Sequence, residues 1–263
     1  MSREHPEVID AVEKAFTLME TFSAEQSSLT ISEASNLTGL TRPTARRLLL
    51  TFVHLGFAEM HGRAFRLTPR VLRLGYGYLS ALPFWEHAQE HLRQLADEVN
   101  EACSAATLDG GDIVYVARIP PRRNMTITLS VGSRLPAYPT SMGRVLLAAL
   151  PEEQLQAYLS RTALKPLTAR TITDPDKLAG VLRQVSRQGF AVVDGEREEG
   201  VRSAAAPVTD QTGKVIAAIN ISANAGRMPL AKLREKWVPR LIETAAVISH
   251  DARSTGMHSG FSS

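Results

Sequence analysis

The sequence predicts an α+β chain in two parts. Three observations carry this: capped amphipathic helices before residue 69, alternating β-branched strands joined by short turns after residue 102, and further long helices between those strands. At 263 residues the chain is long enough for two domains that each bury a core. A hydrophobic fraction of 44% with 22% charged residues excludes a disordered chain. The expected boundaries are 8–69, a linker helix over 70–82, a second domain over 83–253 and a disordered tail over 254–263.

In the first part, Val8, Val12, Ala15, Phe16 and Met19 recur at helical spacing, predicting a helix from about Val8 to Phe22 whose apolar face closes the core. Thr30 is the expected N-cap of the next helix, with Glu33 completing a capping box and Ile31, Ala34 and Leu37 inward. Gly39 ends it, and Leu40 plugs the angle before Thr41 caps a third helix with Pro43 in its first turn. Ala45, Leu48, Leu49, Phe52 and Leu55 form that helix's apolar stripe, leaving Arg42, Thr44, Arg46, Arg47 and Thr51 on the other face. "FAEM" and "AFRLT" then read as a hairpin with Arg63 at its tip. Helix, turn, helix and hairpin in this order make a winged helix-turn-helix, whose partner is double-stranded DNA.

The charge agrees. The net charge is only +3, but from Thr41 to Arg73 seven arginines face one acid, Glu59. The candidate DNA-binding residues are Thr41, Arg42, Thr44, Arg46, Arg47, Thr51 and Arg63: arginine can grip guanine or phosphate, and threonine a phosphate or a thymine methyl. "TPRVLRLGYGYLSAL" is expected to be a helix interrupted by Gly75 and Gly77 and ended by Pro83, with Arg70 to Ser80 as the lever between the domains.

In the second part a long helix, "FWEHAQEHLRQLADEVNEA", precedes a hairpin of "CSAATLD" and "DIVYVARI" turned by Gly110 and Gly111. "MTITLSV" is expected to be another strand and "GSRLPAYPTS" a loop. Helices follow at "MGRVLLAAL", "PEEQLQAYLS" and "DPDKLAGVLRQVSRQG", then strands at "FAVVD", "SAAAPVTD" and "KVIAAINISA", and a closing helix from about Leu230 to Arg253. The polar start "MSREHPEVIDAVEK" is unlike a signal peptide, and no apolar run reaches membrane-spanning length. The one cysteine, Cys103, excludes an intrachain disulfide, so the expected setting is the cytoplasm, with no membrane partner.

No catalytic constellation emerges, and no cofactor or metal is expected. His87 and His91 have the spacing of a metal pair but lack a third ligand, Ser141 lacks a nucleophile elbow, and "DGEREEG" reads as a charged loop. Features of a small-molecule sensor do emerge. "AYPTSMG" runs into a helix N-terminus at Ser141 and Met142, which offers hydroxyls and N–H groups to an anion. Asn220 and Ser222, two apart on a strand, share a face and with Ser203 put polar groups into an apolar interior. Bound ligand and internal hydrogen bonds both answer that pattern.

"GLTRPTARRLL", "GSRLPAYPTSMGRVLLA" and "GFAVVDGEREEGVRSAAAPVTDQTGKVIAAINIS" resemble the IclR family of transcriptional regulators, and the likeness runs from about Val8 to Arg253. It implies a GAF-like effector-binding second domain and a homodimer or tetramer on a pseudopalindromic operator. By the same likeness, Ile127, Ser141, Met142, Val193, Val201, Ser203, Asn220 and Ser222 are the effector-binding positions. Val193 stands where many members have aspartate, and Ser203 where cysteine is frequent, which implies a pocket open to a more anionic or larger ligand. The "AAINIS" strand is similar to the branch controlling aromatic-acid catabolism through the β-ketoadipate pathway. A small organic-acid effector is therefore expected, with repressor and activator both open. The alternatives are a ligand-metabolising enzyme fused to a DNA-binding domain and a constitutive DNA binder with an inert second domain.

Overall fold

The computed structural model describes residues 7–23, 26–121 and 129–256. The chain divides into two compact units, the first ending at Leu79 and the second starting at Ser80.

The first unit comprises α1 (Asp10–Met19), β1 (Leu29–Thr30), α2 (Ile31–Thr38), α3 (Arg42–His54), β2 (Ala58–His61) and β3 (Ala64–Leu67). After a 3-10 turn at Pro69–Val71 comes α4 (Leu72–Ser80). The capping box forms: Glu33 N–H donates to Thr30 Oγ1 at 3.3 Å, and Thr30 N–H donates to Glu33 Oε2 at 2.7 Å. Gly39 ends α2 with φ of 72°, a conformation that a side chain would strain, and Thr41 caps α3. Ala45, Leu49 and Phe52 of α3 are buried with Leu18, Leu29, Ala34, Ala58 and Phe65. The sheet order is β1-β3-β2, with Leu29 opposite Phe65. Two residues are too short to show alternation, so β1 had no sequence signal.

Three expectations need correction here. α1 buries Leu18 and half-buries Ala15 and Met19, with Phe22 half-buried just after it, whereas Val8, Val12 and Phe16 are 54%, 49% and 55% exposed. The helix is shorter than predicted and turned, because Leu18 fills the core. Leu37 and Leu55 are likewise exposed. Gly75 and Gly77 do not interrupt α4, which is continuous through both. Its approach is fixed to the wing, since Thr68 Oγ1 donates to Gly56 O at 2.6 Å and Arg70 lies over the Phe57 ring at 5.4 Å.

The second unit starts with α5 (Trp85–Val99), β4 (Ala102–Asp109), β5 (Asp112–Ile119), β6 (Arg134–Pro136), α6 (Ser141–Ala148), α7 (Glu152–Arg161) and α8 (Pro175–Gln188). It ends with β7 (Ala191–Asp194), β8 (Val201–Thr209), β9 (Val215–Asn224), α9 (Leu230–Lys232), a π turn at Leu233–Trp237 and α10 (Val238–Gly256). Among the described residues the strands form one antiparallel sheet in the order β6-β5-β4-β9-β8-β7. α6 packs on one face with α8 behind it, and α5 and α10 pack on the other. The α+β architecture is thus observed, with a winged helix-turn-helix followed by a sheet domain.

Where "GSRLPAYPTS" was expected to be all loop, Arg134–Pro136 forms the edge strand β6 on β5. Most of the strand expected at "MTITLSV" lies outside the described residues, and Leu129, Ser130 and Val131 are not strand. β8 begins at Val201, two residues before the expected start. Of the expected tail, residues 254–256 are helical and the rest lies outside the described residues. No helix among the described residues is long and apolar enough to cross a membrane.

Candidate functional site

Strand register decides which side chains meet under α6. Ser203 lies opposite Ser222 and Val193 on its two neighbours, and Asn220 lies opposite Ala205 and Ser104. Because cross-strand partners share a face, Val193, Ser203, Ser222, Asn220 and Ser104 all face α6.

β5 joins this face through a bulge. Ala105 pairs with Ala117 but Ala106 pairs with Tyr115, so Val116 is skipped and the alternation changes phase. Tyr115 and Arg118, three apart, therefore point the same way, and Arg118 stands opposite Ser104. The Val116 carbonyl accepts from Trp85 Nε1 of α5 at 2.9 Å, which satisfies a group beside the irregularity.

α6 supplies the roof. Thr140 is its N-cap, with Gly143 N–H donating to Thr140 Oγ1 at 3.0 Å. The N–H groups of Ser141 and Met142, the first two residues of the helix, have no partner among the described residues. Gly143 is required by contact: a Cβ there would stand 2.0 Å from Ala137 O. The loop before α6 is thereby pressed against the helix. α6 also holds the acidic loop after β7 through a buried ion pair between Arg144 and Glu196, while Arg144 Nε donates to Tyr138 O in the loop before α6 at 3.1 Å.

Ser141, Met142, Val193, Val201, Ser203, Asn220 and Ser222 line one cavity between α6 and the sheet. Ile127, the eighth predicted position, lies outside the described residues. Two buried polar atoms on this cavity, Ser141 Oγ and Asn220 Oδ1, have no hydrogen-bond partner among the described residues. Ser141 is 1% and Asn220 5% exposed, so each carries the full cost of desolvation unless something in the cavity answers it.

Sequence reasoning missed several walls of the cavity, among them Tyr115, Arg118, Arg197 and Glu198. Arg118 and Tyr115 had no local signal, since only the bulge brings them round. Arg197 and Glu198 sit in the loop read as merely charged, where they pair with each other at 2.9 Å. Burial raises the Tyr115 phenol above its ordinary pKa and lowers that of the Arg118 guanidinium. Of the two histidines four apart on α5, His91 contacts Asp251 Oδ2 through Nε2 at 3.0 Å, tying α5 to α10.

In the first unit, Thr41, Arg42, Arg46, Arg47, Thr51 and Arg63 are exposed and Thr44 is half-buried. None of the four arginines forms an ion pair with an acid among the described residues. The threonines are partly committed: Thr51 Oγ1 donates to Arg47 O at 2.8 Å, and the Thr41 and Thr44 hydroxyls are 2.9 Å apart. Arg46 and Arg63 flank a groove between α3, the wing and the start of α2.

Comparison with known proteins bears on both units. The IclR helix-turn-helix domain family matches residues 11–62, and the family of bacterial transcriptional regulator IclR C-terminal domains matches residues 76–250. The Pca regulon regulatory protein of Pseudomonas putida is 41% identical over 93% of this chain and 84% of its own length. The p-hydroxybenzoate hydroxylase transcriptional activator of Acinetobacter baylyi is 33% identical over 90% of this chain and 89% of its own. The crystal structure of an IclR homolog from Microbacterium hydrocarbonoxydans, complexed with 4-hydroxybenzoate, superposes with a TM-score of 0.83 at 26% identity, covering 93% of this chain and 99% of that one. With both units matched and full-length relatives of this similarity, the chain belongs to the IclR family of bacterial transcriptional regulators.

Proposed function

We propose that this regulator binds a pseudopalindromic operator as a homodimer or a pair of dimers, and that a small aromatic or related organic acid in the cavity under α6 controls its affinity. The observation that carries this reading is the convergence of Ser141 Oγ and Asn220 Oδ1, both buried and unanswered among the described residues, on a cavity also lined by Arg118. An acid suits that lining. The α6 N-terminus and the guanidinium attract negative charge, and the serine hydroxyls and the amide accept or donate as a ligand requires. The names of the two regulators and the ligand of the Microbacterium homolog support an aromatic acid over a sugar or an amine.

Thr41, Arg42, Thr44, Arg46, Arg47, Thr51 and Arg63 form the proposed DNA surface, α3 entering the major groove and Arg63 reaching backbone or minor groove. A dimer places two such helices about 34 Å apart, one turn of the duplex. The exposed Val8, Val12 and Phe16 support self-association, being apolar surface that a second copy can cover. The relatives are named as regulators, which supports a non-catalytic role, and a DNA partner supports a cytoplasmic setting.

Calorimetry tests the reading with 4-hydroxybenzoate, protocatechuate and β-ketoadipate, each with and without the intergenic DNA beside the protein's own gene. The expected result is an acid that binds and shifts DNA affinity by about 5- to 150-fold. Binding that leaves DNA affinity unchanged would make the second unit inert, and chemical conversion of the bound acid would make it an enzyme.

A further inference from the structure

Arg118 is set apart from the other cavity side chains by donors that are almost unspent among the described residues. A guanidinium carries five N–H donors in a planar fork. Here its one bond among the described residues runs from Nη1 to Ser104 Oγ at 3.5 Å, the outer limit of a hydrogen bond, and it forms no ion pair with an acid among them. The other cavity arginine, Arg197, is already held by Glu198. Burial works against the Arg118 charge, and a negative group in the cavity would offset that cost.

The mounting is rigid and the neighbours are specific. Arg118 sits at the end of β5 just past the bulge, whose carbonyl is held by Trp85. Ser104 lies opposite it, and Asn220 lies opposite Ser104 on the next strand, making a polar row across three strands. Neighbouring side chains in such a row stand about 5 Å apart, within reach of an arginine leaning along it.

We propose that Arg118 is the carboxylate anchor of the cavity. Its fork takes the acid group of the ligand through paired N–H···O bonds, while Asn220 and Ser141 take the ligand's second polar group. This deepens, and rests on, the reading of the cavity as the effector site. It also selects among acids: the Asn220 amide presents both a donor and an acceptor, a hydroxyl answers both, and a second carboxylate answers only the donor. An aromatic hydroxy acid is therefore preferred over a dicarboxylate.

Calorimetry on the full-length protein with 4-hydroxybenzoate and its neutral counterpart, 4-hydroxybenzamide, separates charge from shape. Wild type binds the acid more tightly than the amide. Arg118→Gln loses about 10- to 100-fold in affinity for the acid and stays within about twofold for the amide, and Arg118→Lys, which keeps the charge without the fork, falls between. Acid affinity retained in Arg118→Gln, or acid and amide lost equally in both variants, overturns the anchor and leaves the cavity reading intact. Wild-type protein that binds neither compound, nor protocatechuate nor β-ketoadipate, overturns both.

Discussion

Asn220 holds a buried carbonyl oxygen with no partner among the described residues, so its replacement by leucine removes a cost from the empty protein and an acceptor from the ligand. Asn220→Leu is expected to gain about 1 kcal/mol in stability without ligand and to lose the ligand-induced rise in Tm, with DNA affinity unchanged. Thermal unfolding with and without 4-hydroxybenzoate reads both effects, and a variant still stabilised by the acid would remove Asn220 from the site. Gly143 behaves oppositely. A methyl there meets Ala137 backbone that cannot swing aside, so Gly143→Ala is expected to cost about 2–3 kcal/mol in denaturant unfolding and to weaken acid binding by displacing the α6 N-terminus. At this scale the sequence showed the residues whose neighbours are sequential: Ser141 and Met142 at a helix start, Asn220 and Ser222 two apart on a strand. It could not show Arg118, whose direction depends on a strand pairing far along the chain.

Among the elements, capped helices and turn-linked strands were legible because their signals are local. The Thr30 capping box, the Thr41 cap and the hairpin around Gly62 form where the pattern put them. What failed depended on packing partners. The inward face of α1 was misassigned because Leu18, not the Val12 and Phe16 stripe, meets the core, and β6 went unseen because only its pairing with β5 makes it a strand. α4 carries a prediction of its own. Gly75 and Gly77 both face open space, so alanine at both positions is expected to stabilise the helix by about 1–2 kcal/mol in total. If α4 is the lever between the units, the double variant Gly75→Ala with Gly77→Ala changes the acid-induced shift in DNA affinity by more than about twofold. If α4 is a spacer, thermal stability rises and the shift stays as it was.

For the molecule as a whole, regulation requires that acid binding in one unit alter DNA binding by the other, and the coupling must run both ways by linkage. The proposed self-association would matter because a single winged unit offers few contacts to a duplex, whereas two joined units bind with the advantage of effective concentration. Glutamate at Val12 and Phe16 is therefore expected to convert a dimer to monomers in sedimentation and to weaken operator binding by at least tenfold. An unchanged sedimentation coefficient would assign those exposed residues another role. The two-part plan and the DNA partner could be read from the chain because helix period, charge clustering and wing lie within forty consecutive residues or so. The cavity was legible only in part, since it is assembled from α6, the acidic loop and several strands.

The skipped residue in β5 makes ligand preference a matter of counting. Were Val116 deleted, Ala105 and Ala106 would face an unbroken ladder, and either Tyr115 or Arg118 would turn to the α5 and α10 side while every cavity residue kept its identity. On the proposed role of Arg118, the gain or loss of a single codon in this strand would thus exchange one cavity chemistry for another. An alignment that places a gap there one position off would pair an arginine that holds a ligand with one that faces a helix.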